Sequence, residues 1–310
     1  MIQTLHTSFP SQKDGLEIHL LKTLSQDQKP KAILQIAHGM SEHKERYLPF
    51  MEFMASQGII SVINDQRGHG ESVFKKEDLG YMYGAGADGI LEDLHTINQK
   101  LHQEYPGLPL ILFGHSMGSL AVRAYDAKYD DTIDMLIVCG SPSKNSLGAD
   151  IGTITAKVGK RLKGEKHRSK TLTTMALGGY ARKFIDESPV AWISTDKEVQ
   201  KEYENSDLCG FMFTYDGFQC LFDLMKRAYD VKNWQCRNPE LPVLFISGSE
   251  DPCMVDVRHF SSALHDMRLA GYKEVEGKIY PGMRHEILNE PDHKTVYNDI
   301  CAFIKKHGIL

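Results

Sequence analysis

The sequence predicts an α/β protein: a mainly parallel sheet, covered by helices on both faces, with a helical segment inserted into it. Three features predict this class. Short aliphatic runs alternate with longer amphipathic stretches over most of the 310 residues. Those runs read as strands buried on both faces, as strands of parallel sheets do. Between about 143 and 238 the runs vanish, and they resume at "PVLFISG" (242–248).

The elements follow in order. β-rich stretches around 4–9 and 15–24, joined by a turn at "KDG", predict an antiparallel start to the sheet. "KAILQIAHG" (31–39) predicts a buried strand, "RYLPFMEFMASQG" (46–58) a helix closed by glycine, and "IISVINDQ" (59–66) another strand. The cycle repeats as a helix over 86–107, a strand over 108–115, a helix over 116–129 and a strand over 133–142. Lys, Gly, Met and aromatic residues then dominate a helical insertion, after which come a helix over 256–270, a strand over 273–282 and a last helix ending near Lys306. The expected division is a core of 1–142 and 239–310, with a cap of 143–238.

Composition excludes several classes. A net charge of -5, with basic residues interleaved among acidic ones, does not fit a nucleic-acid binder. The N-terminal stretch lacks the basic start and apolar run of a secretory signal, and nothing approaches the roughly 18 apolar residues of a membrane span. A cytoplasmic location is expected. Six scattered cysteines without a C-x-x-C pair predict reduced thiols.

Chemistry enters at "LILFGHSMGS" (110–119), where an aliphatic run stops at a serine flanked by Gly114 and Gly118. A G-x-S-x-G pattern between strand and helix forces a sharp reversal, so small neighbours are needed and the hydroxyl of Ser116 stands clear of the sheet edge. A serine hydroxyl is a weak nucleophile at neutral pH and needs a base and an orienting carboxylate. Asp251, in "GSEDP" after one predicted strand, and His285, in "MRHEILNEP" after another, fall at the same sheet edge. Glu250 is the rival to Asp251. The order Ser, Asp, His suits a nucleophile elbow of this kind.

These motifs, with "HGMSEHKERY" (38–47), "NDQRGHGES" (64–72) and "YPGMRHEILNE" (280–290), resemble the α/β-hydrolase superfamily. Within it the chain is similar to the monoacylglycerol lipase and lysophospholipase group, which overlaps the serine aminopeptidases of S33 type. The resemblance implies that Ser116, Asp251 and His285 are nucleophile, acid and base. It also implies an oxyanion hole from the backbone N–H groups of Met40 and Met117. His38, His43 and the loop of Asp65, Arg67, His69 and Ser72 are then scaffolding, and His115 a packed neighbour. No histidine or carboxylate spacing suggests a metal site, and the glycines form no phosphate loop followed by Lys-Ser or Lys-Thr, so no cofactor is expected.

The insertion is expected to cover Ser116. Its segment "FMFTYDGFQCLFDLM" (211–225) offers Phe211, Phe213, Tyr215 and Phe218 as pocket residues. Seven basic residues between Lys157 and Lys170, against Glu165, make a patch of +6 that could meet anionic lipid headgroups at a membrane surface. The function expected is hydrolysis of small lipid-type carboxylic esters through an acyl-enzyme. Two readings stand beside it. One is a peptidase that binds a substrate ammonium through Glu202, Glu204 or Asp207; the other is a non-catalytic ligand-binding protein on the same fold.

Overall fold

The computed structural model describes residues 1–184 and 187–310. In chain order its strands are β1 (Ile2–Pro10), β2 (Glu17–Ser25), β3 (Ala32–Ala37), β4 (Ile59–Asn64), β5 (Leu110–His115), β6 (Met135–Cys139), β7 (Val243–Gly248) and β8 (Val275–Tyr280). Its α-helices are α1 (Leu48–Ser56), α2 (Gly86–Glu104), α3 (Met117–Tyr129), α4 (Ser146–Lys163), α5 (Lys170–Leu177), α6 (Lys197–Asn205), α7 (Tyr215–Tyr229), α8 (Val257–Ala270) and α9 (His293–Lys306).

All eight strands form one sheet in the order β1-β2-β4-β3-β5-β6-β7-β8. β1 pairs antiparallel with β2, and β2 with β4, while β4, β3, β5, β6, β7 and β8 run parallel. Every residue of β3, β4, β5, β6 and β7 is buried, which explains their unbroken aliphatic runs. Two apolar cores result. One joins the sheet to α2, α3, α7 and α8 through residues such as Ile90, Leu120, Phe218 and Met267. The other joins the opposite face to α1 and α9 through Met51, Phe113 and Ile300.

Parallel strands put their C-terminal ends along one edge, and the loops that leave β3, β5, β7 and β8 gather there. Among the described residues four α-helices, α4 to α7, lie between β6 and β7, where the sequence predicts the insertion. Their packing is less uniform than that prediction implies. α7 docks into the first core, burying Phe218, Cys220, Leu224 and Ala228. α4 rests on α7 through small residues: a Cβ added at Gly152 would meet the ring of Phe222, and one at Gly159 the ring of Tyr215.

Candidate active site

Ser116 stands between β5 and α3 with φ +53° and ψ −117°, a backbone region that side-chain-bearing residues rarely enter. Neighbouring packing holds it there. Its N–H donates to the carbonyl of Cys139 at 3.0 Å. Gly118 lies so close to β3 that a Cβ would overlap the carbonyl oxygens of Ala37 and His38. The glycine thus lets α3 seat against the strand that leads into Gly39 and Met40.

Asp251 and His285 arrive from the ends of β7 and β8. Both are buried, and both carboxylate oxygens lie 3.0 Å from His285 Nδ1. Asp251 also accepts from Ser247 Oγ at 3.1 Å and from the Cys253 N–H at 2.8 Å. Burial pushes its carboxyl up, but the attraction and hydrogen bond of His285, with the Cys253 N–H, outweigh burial and hold it below the ordinary carboxylate value. Glu250 turns away and pairs with Lys183 at 3.1 Å, so the adjacent carboxylate is the one on the imidazole.

Segment 192–193 of the insertion steadies the histidine loop. The His285 N–H donates to the Trp192 carbonyl at 3.3 Å, the Glu286 N–H to the Ile193 carbonyl at 2.6 Å, and the Trp192 and His285 rings lie 5.0 Å apart. His115 sits behind, 4.7 Å ring to ring from His285, with Nε2 3.2 Å from the His285 carbonyl. Its Nδ1 faces Glu42 at 3.3 Å. Burial opposes a charge on His115, yet the Glu42 carboxylate raises it above the ordinary imidazole value.

Ser116, His285, Met40 and Met117 line one cavity of about 540 Å³. Ala149, Leu177, Leu221, Phe222 and Met225 of the insertion give it apolar walls, while Ser41, Glu42, Tyr203 and Glu286 add polar groups. Of the pocket residues expected from the sequence, Phe211 lines this cavity. Phe213 and Phe218 are fully buried in the core instead, stacked edge to face with each other, and Phe213 also meets His69. Tyr215 packs against Gly159 and His167 rather than facing the cavity. The neighbouring turns of α7, carrying Leu221, Phe222 and Met225, take the lining position.

The loop after β4 is a buried polar lattice. Asp65 holds the backbone N–H groups of Lys44 and Glu71, each at 2.9 Å, and Arg67 pairs with Asp14 and Asp93 at 2.8 and 2.9 Å. Ser72 Oγ accepts the His19 N–H at 3.0 Å. Burial, together with its neighbour His38, drives His69 down to about 3 and so keeps it neutral. Glu202, Glu204 and Asp207 are exposed and are not among the residues that line the cavity.

Among the described residues, two groups bring three metal-capable donor atoms within 4.8 Å: Asp251, Cys253 and His285, and His6, Glu45 and Glu71. In the first, Asp251 is already engaged by His285, and burial, with the charge of Asp251, raises the Cys253 thiol well above its ordinary value, leaving it a protonated, poor ligand. In the second, the ammonium of Lys44 lies against both carboxylates, at 2.8 Å from Glu45 and 2.5 Å from Glu71.

The sequence did not single out the ion network in the cavity wall. Arg46 reaches Glu42 at 2.8 Å and grips Glu286 with two bonds of 2.7 and 2.6 Å. Its members sit within the "HGMSEHKERY" and "RHEILNE" stretches, where charges in an otherwise buried neighbourhood were the available signal.

Comparison with known proteins identifies the family and the fold. Residues 28–292 match the family model described as serine aminopeptidase, S33. A monoacylglycerol lipase of Mycolicibacterium smegmatis is 27% identical over 282 residues, covering 91% of this chain and 90% of its own. The monoglyceride lipase of Saccharomyces cerevisiae is 23% identical over 295 residues, covering 88% and 84%. Among solved structures, a thermostable carboxyl esterase from Bacillus coagulans in complex with glycerol superposes with a TM-score of 0.89 at 24% identity, over 99% of each chain. A soluble variant of the Saccharomyces cerevisiae monoglyceride lipase, bound to a substrate analog, gives 0.73 at 20% identity, over 99% of this chain and 97% of that one. With its sheet order, its serine elbow and a family match spanning most of its length, the chain belongs to the serine aminopeptidase S33 family of α/β-hydrolases.

Proposed function

We propose that the protein is a serine hydrolase of lipid-type carboxylic esters, with monoacylglycerols or lysophospholipids as the substrate class. The observation that carries the reading is the convergence of Ser116, on its strained elbow, and the His285–Asp251 pair on one cavity with apolar walls. The names of the relatives support it. His285 takes the proton of Ser116 as its Oγ attacks the ester carbonyl, and Asp251 holds the imidazole with its proton on Nδ1 and stabilises the imidazolium. The N–H groups of Met40 and Met117 receive the oxyanion, each worth about 3 kcal/mol in the transition state. His285 then protonates the leaving alcohol, and water, activated the same way, releases the acid.

In this reading residues 1–142 and 239–310 are the catalytic core and 143–238 the cap. The cap also supplies a membrane-facing side. α4 turns Leu147, Ile151, Ile154, Val158 and Leu162 outward, each 46–78% exposed. At 100° per residue these five fall on one stripe, opposite the inward Ala149, Gly152, Ala156 and Gly159. Lys157 and Arg161 flank the stripe, exposed, while Lys160 and Lys166 from the same basic run turn in to Asp216 and Asp78. A greasy stripe with basic flanks suits peripheral contact with an anionic lipid surface.

The test is hydrolysis of a monoacylglycerol series and of aminoacyl-naphthylamides by the purified protein, beside labelling with a fluorophosphonate. Ester turnover with an adduct on Ser116 is expected. Amide turnover in preference to ester, or no adduct, overturns the reading.

A further inference from the structure

An oxyanion donor that belongs to the backbone cannot be aimed by a rotamer; its peptide plane must be held. The Met40 N–H shares its plane with the Gly39 carbonyl, and in a trans peptide the two point in opposite directions. Fixing that carbonyl therefore fixes the donor. His38 Nδ1 lies 2.7 Å from Gly39 O, and its Nε2 accepts the Gln66 backbone N–H at 2.9 Å. With Nε2 an acceptor, the proton of the neutral ring sits on Nδ1 and is donated to Gly39. Burial holds His38 down to about 4, so the neutral ring is the form present.

The plane on the other side of Gly39 is held as well. The Gly39 N–H donates to Glu42 Oε1 at 2.5 Å. The same oxygen accepts Tyr47 OH at 3.0 Å and faces His115 Nδ1, while Oε2 accepts from Arg46, which in turn grips Glu286 beside His285. One buried carboxylate thus touches the loop after β3, the residue before Ser116 and, through Arg46, the loop that carries the base. A Cβ at residue 39 would come within 2.5 Å of Glu42 Oε1 and 3.1 Å of Ser116 Cβ, so only glycine allows this approach. Buried ion networks are a poor source of stability compared with apolar packing, so stability alone does not explain a charge in this place.

We propose that Glu42 is a positioning residue for the oxyanion hole: by clamping the Gly39 N–H it holds the peptide plane that precedes the one His38 fixes, and the two together aim the Met40 amide at the developing oxyanion. The proposal rests on the serine-hydrolase reading. It needs a carboxylate-length acceptor at Gly39 more than it needs a charge, and this makes it testable.

E42Q keeps an acceptor of the same length but loses the charge toward Arg46. E42D keeps the charge but draws it back by about 1.5 Å. Turnover of a p-nitrophenyl ester is measured per fluorophosphonate-labelled site, with KM, melting temperature and affinity for a boronic acid transition-state analogue. In E42D kcat per site is expected to fall about thirty-fold and boronate affinity to fall with it, while KM stays within about twofold; in E42Q kcat falls no more than about threefold. A purely structural role would give the reverse: the larger melting loss in E42Q, and kcat per labelled site unchanged in both. That order overturns the proposal. Where E42D does not fold, E42A carries the same thirty-fold expectation, and a loss under threefold overturns it. Absence of labelling and turnover in the wild-type protein instead defeats the hydrolase reading itself.

Discussion

Asp251 and His285 are 34 residues apart in the chain, and both oxygens of the carboxylate lie 3.0 Å from the imidazole Nδ1. A symmetric acceptor of this kind fixes the tautomer as well as the ring plane. Asp251→Asn would offer Nδ1 a mixed amide and leave the imidazole in the wrong tautomer; kcat is expected to fall about 10³- to 10⁴-fold with little change in KM. Steady-state kinetics on a p-nitrophenyl ester, with circular dichroism to show the fold intact, checks this.

Ser116→Ala should leave the sheet undisturbed, because alanine is smaller than serine and no described hydrogen bond runs through Oγ. Ester hydrolysis is expected to drop by about 10⁴-fold or more and fluorophosphonate labelling to disappear. Mass spectrometry of the labelled protein reads the second outcome directly.

Gly118→Ala pushes a methyl group into the backbone of β3 at Ala37 and His38. Ala37 belongs to the pairing of β3 with β5 and the His38 carbonyl accepts the Gln66 side-chain amide, so neither moves freely, and destabilisation of about 3 kcal/mol or more is expected. Urea unfolding of the variant against the wild type measures it.

His38 and His69 are buried and neutral, lowered from 6.5 to about 4 and about 3. Their contribution to stability is complete above the unfolded value near 6.5 and is lost as pH falls toward the folded values. Over that window each unfolded chain takes up one proton per histidine that the native protein does not bind. Stability should therefore fall by about 1.4 kcal/mol per pH unit for each ring between pH 6 and 4.5. His69→Gln should unfold more easily at pH 7 but show a shallower slope, as followed by denaturant melts across that range.

Leu147, Ile154 and Leu162 carry the outward stripe of α4, and their combined replacement by serine should weaken partitioning onto anionic vesicles by about 1–2 kcal/mol for each side chain. Co-sedimentation separates the cases: wild-type protein pellets with vesicles containing phosphatidylserine, and the triple variant stays in the supernatant. Equal pelleting of the two would remove α4 from the contact.

The sheet was legible because strands buried on both faces cannot avoid aliphatic runs, and the runs at 31–39, 59–66 and 108–115 each contain their strand, β3, β4 or β5, and overrun it by two or three residues. Ser116 was legible because the elbow restricts its flanking residues. Asp251 and Glu250 were not separable, since neighbours in a loop share the same context and only the fold turns one toward His285 and the other toward Lys183. The phase of α7 was lost for a different reason. Phe218, Leu221, Phe222 and Met225 fall on one apolar stripe that runs from the core to the cavity, so the hydrophobic pattern cannot say where along it packing ends and lining begins, and Phe213 lies before the helix altogether. Arg46 and Glu286 are separated by 240 positions, and nothing local in either stretch announces the other.

The small inward residues of α4 have a consequence for how the helix is held. A helix that meets its support through glycine and alanine buries less apolar area than one packed through larger side chains, so the ion pairs of Lys160 with Asp216 and of Lys226 with Asp150 take a larger share in holding it. Screening weakens such contacts, whereas burial of oil survives salt. Concentrated salt should thus speed amide exchange along 146–163 well before it disturbs the strands.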